Sequence, residues 1–342
     1  MLRRARRTTC RLRKTVMPDL HAWYKSARLS AGAFLLLCGL GGCAALVPQT
    51  MELRDAWPRG VALRTELTDV PFFPQQEYQC GPAALATTLV SAGAPATPDD
   101  LVKLVYTPAR RGSLQVEMLA APRRYSRVSY QLAPLFDDLL RELAAGNPVI
   151  VLQDTGIGPF TNWHYAVVVG FDYPAGELYL RSGETKRLAI PFTIFEYLWK
   201  RGNYWAMVTM PPGRIPATAT EPDYLAAIAA MERVGEPRAA LLAYSAFLER
   251  WPDNVAAGVG LANRHYALGD LEQAEAVLRK SLVRHPDSVP VLNNLAQVVS
   301  DRGRNDEALA LIERAVAPEG SALAPAVRET RALILRRKGQ GG

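Results

Sequence analysis

Cys80 and His164 are the pair in this 342-residue chain whose side chains could do covalent chemistry together. A cysteine attacks a carbonyl as its thiolate, and a helix N-terminus or a neighbouring imidazole favours that anion. Cys80 sits where "FFPQQEYQ" gives way to "CGPAALATTL", an alanine-rich run that reads as a helix starting at the cysteine. Pro82 suits the first helical turn, where no amide donor is lost, and Gly81 is expected to let a substrate backbone come close to the sulfur. The base must come from elsewhere in the fold. Of the four histidines, His21 lies in the leader, while His265 and His285 lie in a helical repeat region and read as structural. His164 opens "HYAVVVGFD", a strand that would fix the ring, 84 residues after the cysteine. Such a pair suits thiolate attack on a carbonyl, a thioester intermediate and hydrolysis. An oxyanion donor is also needed, and Gln75 and Gln76 stand five and four residues ahead of Cys80.

The elements that must hold these residues have a mixed pattern from about 67 to 212. Four helical signals come first: one starting at Cys80; "TPDDLVKLV", with Thr97 as cap and Pro98 at the first helical position; a run following Ser113; and "PLFDDLLRELAAG", closed by Gly146. The period then shifts to strands in "PVIVLQD", "HYAVVVGFD", "ELYLRSG" and "NYWAMVTM". Helices in front and a sheet behind make an α+β unit. Residues 43–66 show no sustained period and read as a tether or a first wrapping segment, and 213–220, "GRIPATAT", read as a linker.

From 221 to 338 the chain is helical and repeats itself. Gly235, Gly269 and Gly303 are 34 residues apart, as are Ala240, Ala274 and Ala308, and Pro252 and Pro286 keep the same spacing. This period, with Gly in the turn and a small residue where helices cross, resembles tetratricopeptide repeats. The resemblance implies helix pairs stacked into a short superhelix that binds peptides or partner proteins, with a covering helix at about 320–338.

The formal net charge of +7 points to nucleic acid only until it is located. Residues 1–42 hold nine Lys/Arg against the single acid Asp19, and the remainder carries 31 basic and 32 acidic residues. The basicity belongs to a leader, so no nucleic-acid surface is expected. After its basic region comes "LSAGAFLLLCGLGGC", shorter than the ~20 residues of a spanning helix. The ending "LGGC" resembles a bacterial lipoprotein signal, which implies cleavage before Cys43 and lipidation of that residue. Ala44 follows without an acidic neighbour, which favours an outer-membrane lipoprotein facing the periplasm. Met17 offers an alternative start. With Cys10 and Cys38 leaving in the leader and Cys43 acylated, Cys80 remains the single free thiol.

"VPFFPQQEYQCGPAALA" together with "WHYAVVVGFD" resembles the bacteriocin-processing, double-glycine-leader class of papain-like cysteine peptidases, in its stand-alone lipoprotein branch with C-terminal tetratricopeptide repeats. The resemblance implies a papain-like α+β domain over 67–212 (an N-terminal helix plus an antiparallel sheet) followed by the all-α repeat domain. It also implies Cys80 as nucleophile, His164 as general base and then acid, and Gln75 in the oxyanion hole, acting on a polypeptide substrate. One departure stands out. The family's orienting Asp ends the strand after the histidine, and here Ser182 holds that place in "ELYLRSGE". Serine can accept from the imidazole N–H but carries no charge to stabilise an imidazolium. Asp172 follows the histidine strand and should lie far from the ring; Asp154, ending the neighbouring strand, is a candidate substitute. No cofactor is expected, since one Cys and one His fall short of a zinc set and no phosphate loop is present. The alternatives are a protein-binding scaffold that has lost catalysis and a cell-wall peptide amidase.

Overall fold

The computed structural model describes residues 46–75 and 79–340. The expected leader and Cys43 lie outside them, as does Gln76. Residues 46–66 are not a loose tether. Helix α1 (Pro48–Asp55) and strand β1 (Arg64–Glu66) belong to the first domain. The fully buried carboxylate of Glu196 accepts the N–H groups of Gln49 (3.0 Å) and Thr50 (2.6 Å) at the start of α1.

The four expected helices form where their signals place them: α2 (Cys80–Ser91), α3 (Pro98–Val105), α4 (Gln115–Arg124) and α5 (Phe136–Ala144). Thr97 caps α3 by accepting the N–H of Asp100. Between α4 and α5 runs β2 (Val128–Gln131), and after α5 come β3 (Val149–Asp154), β4 (Trp163–Asp172) and β5 (Glu177–Ser182). Strand β6 (Thr185–Pro191) and helix α6 (Phe192–Arg201) precede β7 (Ala206–Met210).

Every strand pairing is antiparallel, in the order β2–β7–β3–β4–β5–β6, with β1 beside the far end of β4. The sheet is buried on both faces, which is why its central strands read as continuous apolar runs rather than alternating ones. Ile150, Leu152, Tyr165 and Val167 share one core with α2, α3 and α4. Val149, Val151, Ala166 and Val168 belong to the other, with α5 and α6. Of the twelve residues of α2, nine are buried. Its alanines let the helix lie close against the sheet and bring its first residue, Cys80, to the start of β4.

The second core continues into the repeats. Helices α7 (Glu221–Glu232), α8 (Pro237–Arg250), α9 (Val255–Ala267), α10 (Leu271–Arg284), α11 (Val289–Asp301) and α12 (Asn305–Arg314) form three antiparallel pairs, and α13 (Ala324–Gln340) covers the last. Ala240, Ala274 and Ala308 are buried at the helix crossings. Gly269 and Gly303 close α9 and α11 with φ of +80° and +83°, a left-handed conformation that favours glycine. Tyr224 and Phe247 join the core of the first domain, so the repeats begin as an extension of it. The expected linker 213–220 is docked as well: Thr218 donates its N–H (2.8 Å) and hydroxyl (2.7 Å) to the buried Glu142. His285 bonds the Asp253 carbonyl of the preceding repeat through Nε2 (2.7 Å), and His265 faces Asp270 across 3.5 Å, both consistent with structural roles.

Candidate active site

Cys80, His164 and Gln75 line one cleft of about 1000 Å³ between α2, the start of β4 and the β5–β6 turn. Each arrives there for a local reason. Cys80 is the first residue of α2, where the helical N–H groups have no intrahelical partner. Its thiol is half-buried, and burial pushes it up from the ordinary thiol range; hydrogen bonds from the main chain of Tyr165, Gly81 and Cys80 itself act in the opposite direction. The residue following His164 therefore lies within hydrogen-bonding reach of the sulfur.

His164 is held by the β3–β4 ladder, directly opposite Gln153. Its Nε2 contacts Ser182 Oγ at 2.8 Å, which leaves Nδ1 as the ring nitrogen not engaged by that serine. For Nδ1 to take a proton, the ring must carry its own hydrogen on Nε2 and donate it to Ser182. Burial pushes the imidazole below its ordinary range. Both groups are thus biased toward their neutral forms, and among the described residues no carboxylate opposes that bias.

Gln75 is fixed at both ends. Its main-chain N–H donates to Gly183 O (3.1 Å), and its side-chain Nε2 donates to Tyr165 O (3.3 Å). Its amide keeps one hydrogen beyond that bond, on a side chain that lines the same cleft as Cys80.

Two expectations need correction. Asp154 does not stand in for the orienting carboxylate. Its Oδ1 accepts the N–H groups of Gly156 (2.9 Å) and Asn162 (2.8 Å), and its Oδ2 pairs with Arg201 (2.6 Å). Burial alone would raise its carboxyl, but those donors together hold it below the usual carboxylate range. Asp172 pairs with Arg64 at the other end of β4, as its sequence position implies. Gly81 does not open a path to the sulfur either. It is buried, and a Cβ there would collide with the Ser113 side chain, 2.8 Å from its Cβ. Glycine is required because α4's approach loop crosses α2 at this point.

Several residues of the site had no signal in the sequence. Tyr165 supplies main-chain contacts to both Cys80 and Gln75 and could have been suspected only as the neighbour of His164. Ser113 Oγ is buried at the cleft wall and has no hydrogen-bond partner among the described residues. Arg110 and Arg111 stand on the rim, in a loop closed by the Thr107–Gly112 bridge.

Residues 67–205 match the Peptidase_C39 like family, and residues 224–289 and 259–326 match a tetratricopeptide repeat family. The chain thus carries a C39-like peptidase domain followed by tetratricopeptide repeats, and is a peptidase-related protein with protein-interaction repeats. No curated protein matches the sequence. Among solved structures, a Bacillus anthracis protein described as C39-like peptidase is 17% identical, with a TM-score of 0.37 over 43% of this chain and 97% of its own. The peptidase domain of Streptococcus ComA, a bifunctional ABC transporter, is 18% identical, with a TM-score of 0.34 over 42% of this chain and 98% of its own. A thermophilic tetratricopeptide protein of Thermus thermophilus is 22% identical, with a TM-score of 0.32 over 35% of this chain and 66% of its own.

Proposed function

We propose that the protein is a lipid-anchored cysteine peptidase of the bacterial outer membrane, facing the periplasm, whose repeats recruit the polypeptide it cleaves or a partner protein. His164 Nδ1 takes the proton of the Cys80 thiol as the sulfur bonds to a peptide carbonyl carbon. The resulting oxyanion is met by the Cys80 main-chain N–H and the free amide hydrogen of Gln75. Collapse expels the amine, which leaves with the proton held by His164, and a thioester remains. Water, deprotonated by the same imidazole, then releases the acid and regenerates the thiol. Ser182 orients the ring throughout and contributes no charge.

What supports this reading most is the convergence of thiol, imidazole and side-chain amide on one cleft, with the far nitrogen of the ring held at 2.8 Å by Ser182. The anchor rests on "LGGC" at Leu40 to Cys43. Alkylation of Cys80 by iodoacetamide tests the chemistry: the rate should rise with pH as the raised thiol ionises and collapse in His164→Ala, and Cys80→Ala should abolish peptide cleavage. Sluggish labelling indifferent to His164 would overturn the enzyme and favour the scaffold, a second reading that the serine at position 182 and the raised thiol support.

A further inference from the structure

The loop between β3 and β4 holds two large apolar side chains out in water: Ile157 is 87% and Phe160 78% exposed. It is a braced loop. Asp154 binds the Gly156 and Asn162 N–H groups, Thr155 N–H donates to Asn162 O (2.9 Å), and Arg201 donates to the carbonyls of Gly156 (3.1 Å) and Gly158 (3.3 Å). Fixed apolar projections of this kind mark a contact surface.

The bracing arginine also shows what the loop lies beside. Arg201 ends helix α6 and reaches over the ring of Tyr197, 5.9 Å from its centroid. One turn earlier, on the same side of the helix, Ile194 is 51% exposed. On this helix Lys200 reaches the carbonyl of Leu46 (3.4 Å), the first described residue and itself 51% exposed. The surface therefore runs from the beginning of the described chain, across α6, to the loop. Residues 155–162 hold no charged side chain, and the one acid of α6, Glu196, is buried beneath α1. The basic residues of α6, Lys200 and Arg201, are both partnered, Arg201 by Asp154, so what the face offers a bilayer is its apolar side chains.

We propose that this face, comprising Leu46, Ile194, Tyr197, Ile157 and Phe160, seats on the phospholipid bilayer and places the cleft at the membrane surface. The proposal rests on lipidation of Cys43. Two residues, and so three Cα–Cα steps, separate that cysteine from Leu46, so Leu46 cannot lie farther than about 11 Å from the anchored Cα. Lipid insertion thus brings the first patch residue to the headgroups, and an interfacial Tyr and Phe then meet the environment they favour. Trp163, 52% exposed, follows the loop, and His164 follows Trp163, so seating the loop brings the cleft mouth to the bilayer.

The test uses the lipidated protein, expressed with its own leader, purified from membranes and reconstituted into 3:1 phosphatidylethanolamine–phosphatidylglycerol vesicles with or without brominated acyl chains. Tryptophan emission should be quenched by the brominated lipid, and Trp163→Phe should remove most of that quenching. Ile157→Ser/Phe160→Ser should reduce the quenching at least threefold while the protein still floats with the vesicles; Val283→Ser, at an exposed position in the repeats, should leave it unchanged. A wild type that floats without Trp163-dependent quenching overturns the seating and leaves the anchor standing. A wild type that does not float overturns the anchor and the seating with it. Unchanged quenching in the double variant, with altered peptide cleavage, overturns the seating and assigns the apolar pair to the polypeptide.

Discussion

Replacing Ser182 by Asp places a charge where the geometry has only a dipole, and the size of the effect follows from the site. The hydroxyl lies 2.8 Å from His164 Nε2. A carboxylate there would put charge centres about 4 Å apart, worth roughly 4 kcal/mol at an effective dielectric of ~20. Neighbouring opposite charges at such distances shift pKa values by about 1 to 3 units. In the native protein, burial drives the thiol up and the imidazole down, so the pair rests as thiol and neutral ring. Ser182→Asp should favour the thiolate–imidazolium pair instead. The assay is the rate of iodoacetamide alkylation of Cys80 between pH 5 and 9. The wild type should react mainly above the ordinary thiol range of about 8.5. In Ser182→Asp the inflection should fall by about one unit or more, and the rate at pH 6.5 should rise about tenfold. With His164→Ala also present, the added carboxylate can act only as a like charge on the thiolate, and the inflection should move up. An unchanged profile, or the same shift with and without the imidazole, would refute the coupling of Cys80 to His164.

Gly81→Ala should cost about 1 to 3 kcal/mol by overpacking against Ser113, seen as a lower urea midpoint; adding Ser113→Gly should recover part of it. Asp138 is pushed up to about 6 by burial and then by the neighbouring Asp137 and Glu142. A carboxyl raised in the folded state contributes stability at pH below its unfolded pKa and loses it as pH rises through about 6. Asp138→Asn should therefore stabilise the protein at pH 7.5, by about 1 kcal/mol after allowance for solvent screening, and give little gain at pH 4 in parallel melts. Phe247→Ala removes a fully buried ring centred 4.7 Å from Trp251 and should cost about 3 to 5 kcal/mol. Because that ring belongs to the core shared with the sheet, thermal unfolding should lower the transition of both regions together.

Much of the frame was readable because its signals are local. Thr97 before Pro98, Gly146 after an amphipathic run and the 34-residue spacing of Gly269 and Gly303 each act on their own backbone. That Cys80 and His164 would share a cleft was readable from residue type, since few alternatives exist. Strand β6 was not readable: "TKRLAIP" is an edge strand, exposed along nearly its whole length and carrying Lys186 and Arg187, charges that guard an open edge. Helix α6 was hidden by its place between two strands and by Glu196, which looks like a surface acid yet is buried because α1 needs an anion at its N-terminus. The role of Asp154 depends on a loop folding back across eight residues, and the fit of Gly81 on a crossing with Ser113; sequence spacing encodes neither.

Helix α4 ties the two halves of the proposed function together. Its approach, Ser113 to Gln115, forms part of the cleft wall, while just beyond its far end Ser126 Oγ accepts the N–H of Glu236, at the start of α8 (3.0 Å). Ten residues of helix span about 15 Å. A polypeptide held at this edge of the first repeat would need about five extended residues to reach the sulfur. The repeats continue the core on the sheet face opposite α2, and the residues lining the cleft all belong to the first domain. On the proposed reading, a polypeptide held by the repeats would be cleaved in a cleft that the repeats do not cover.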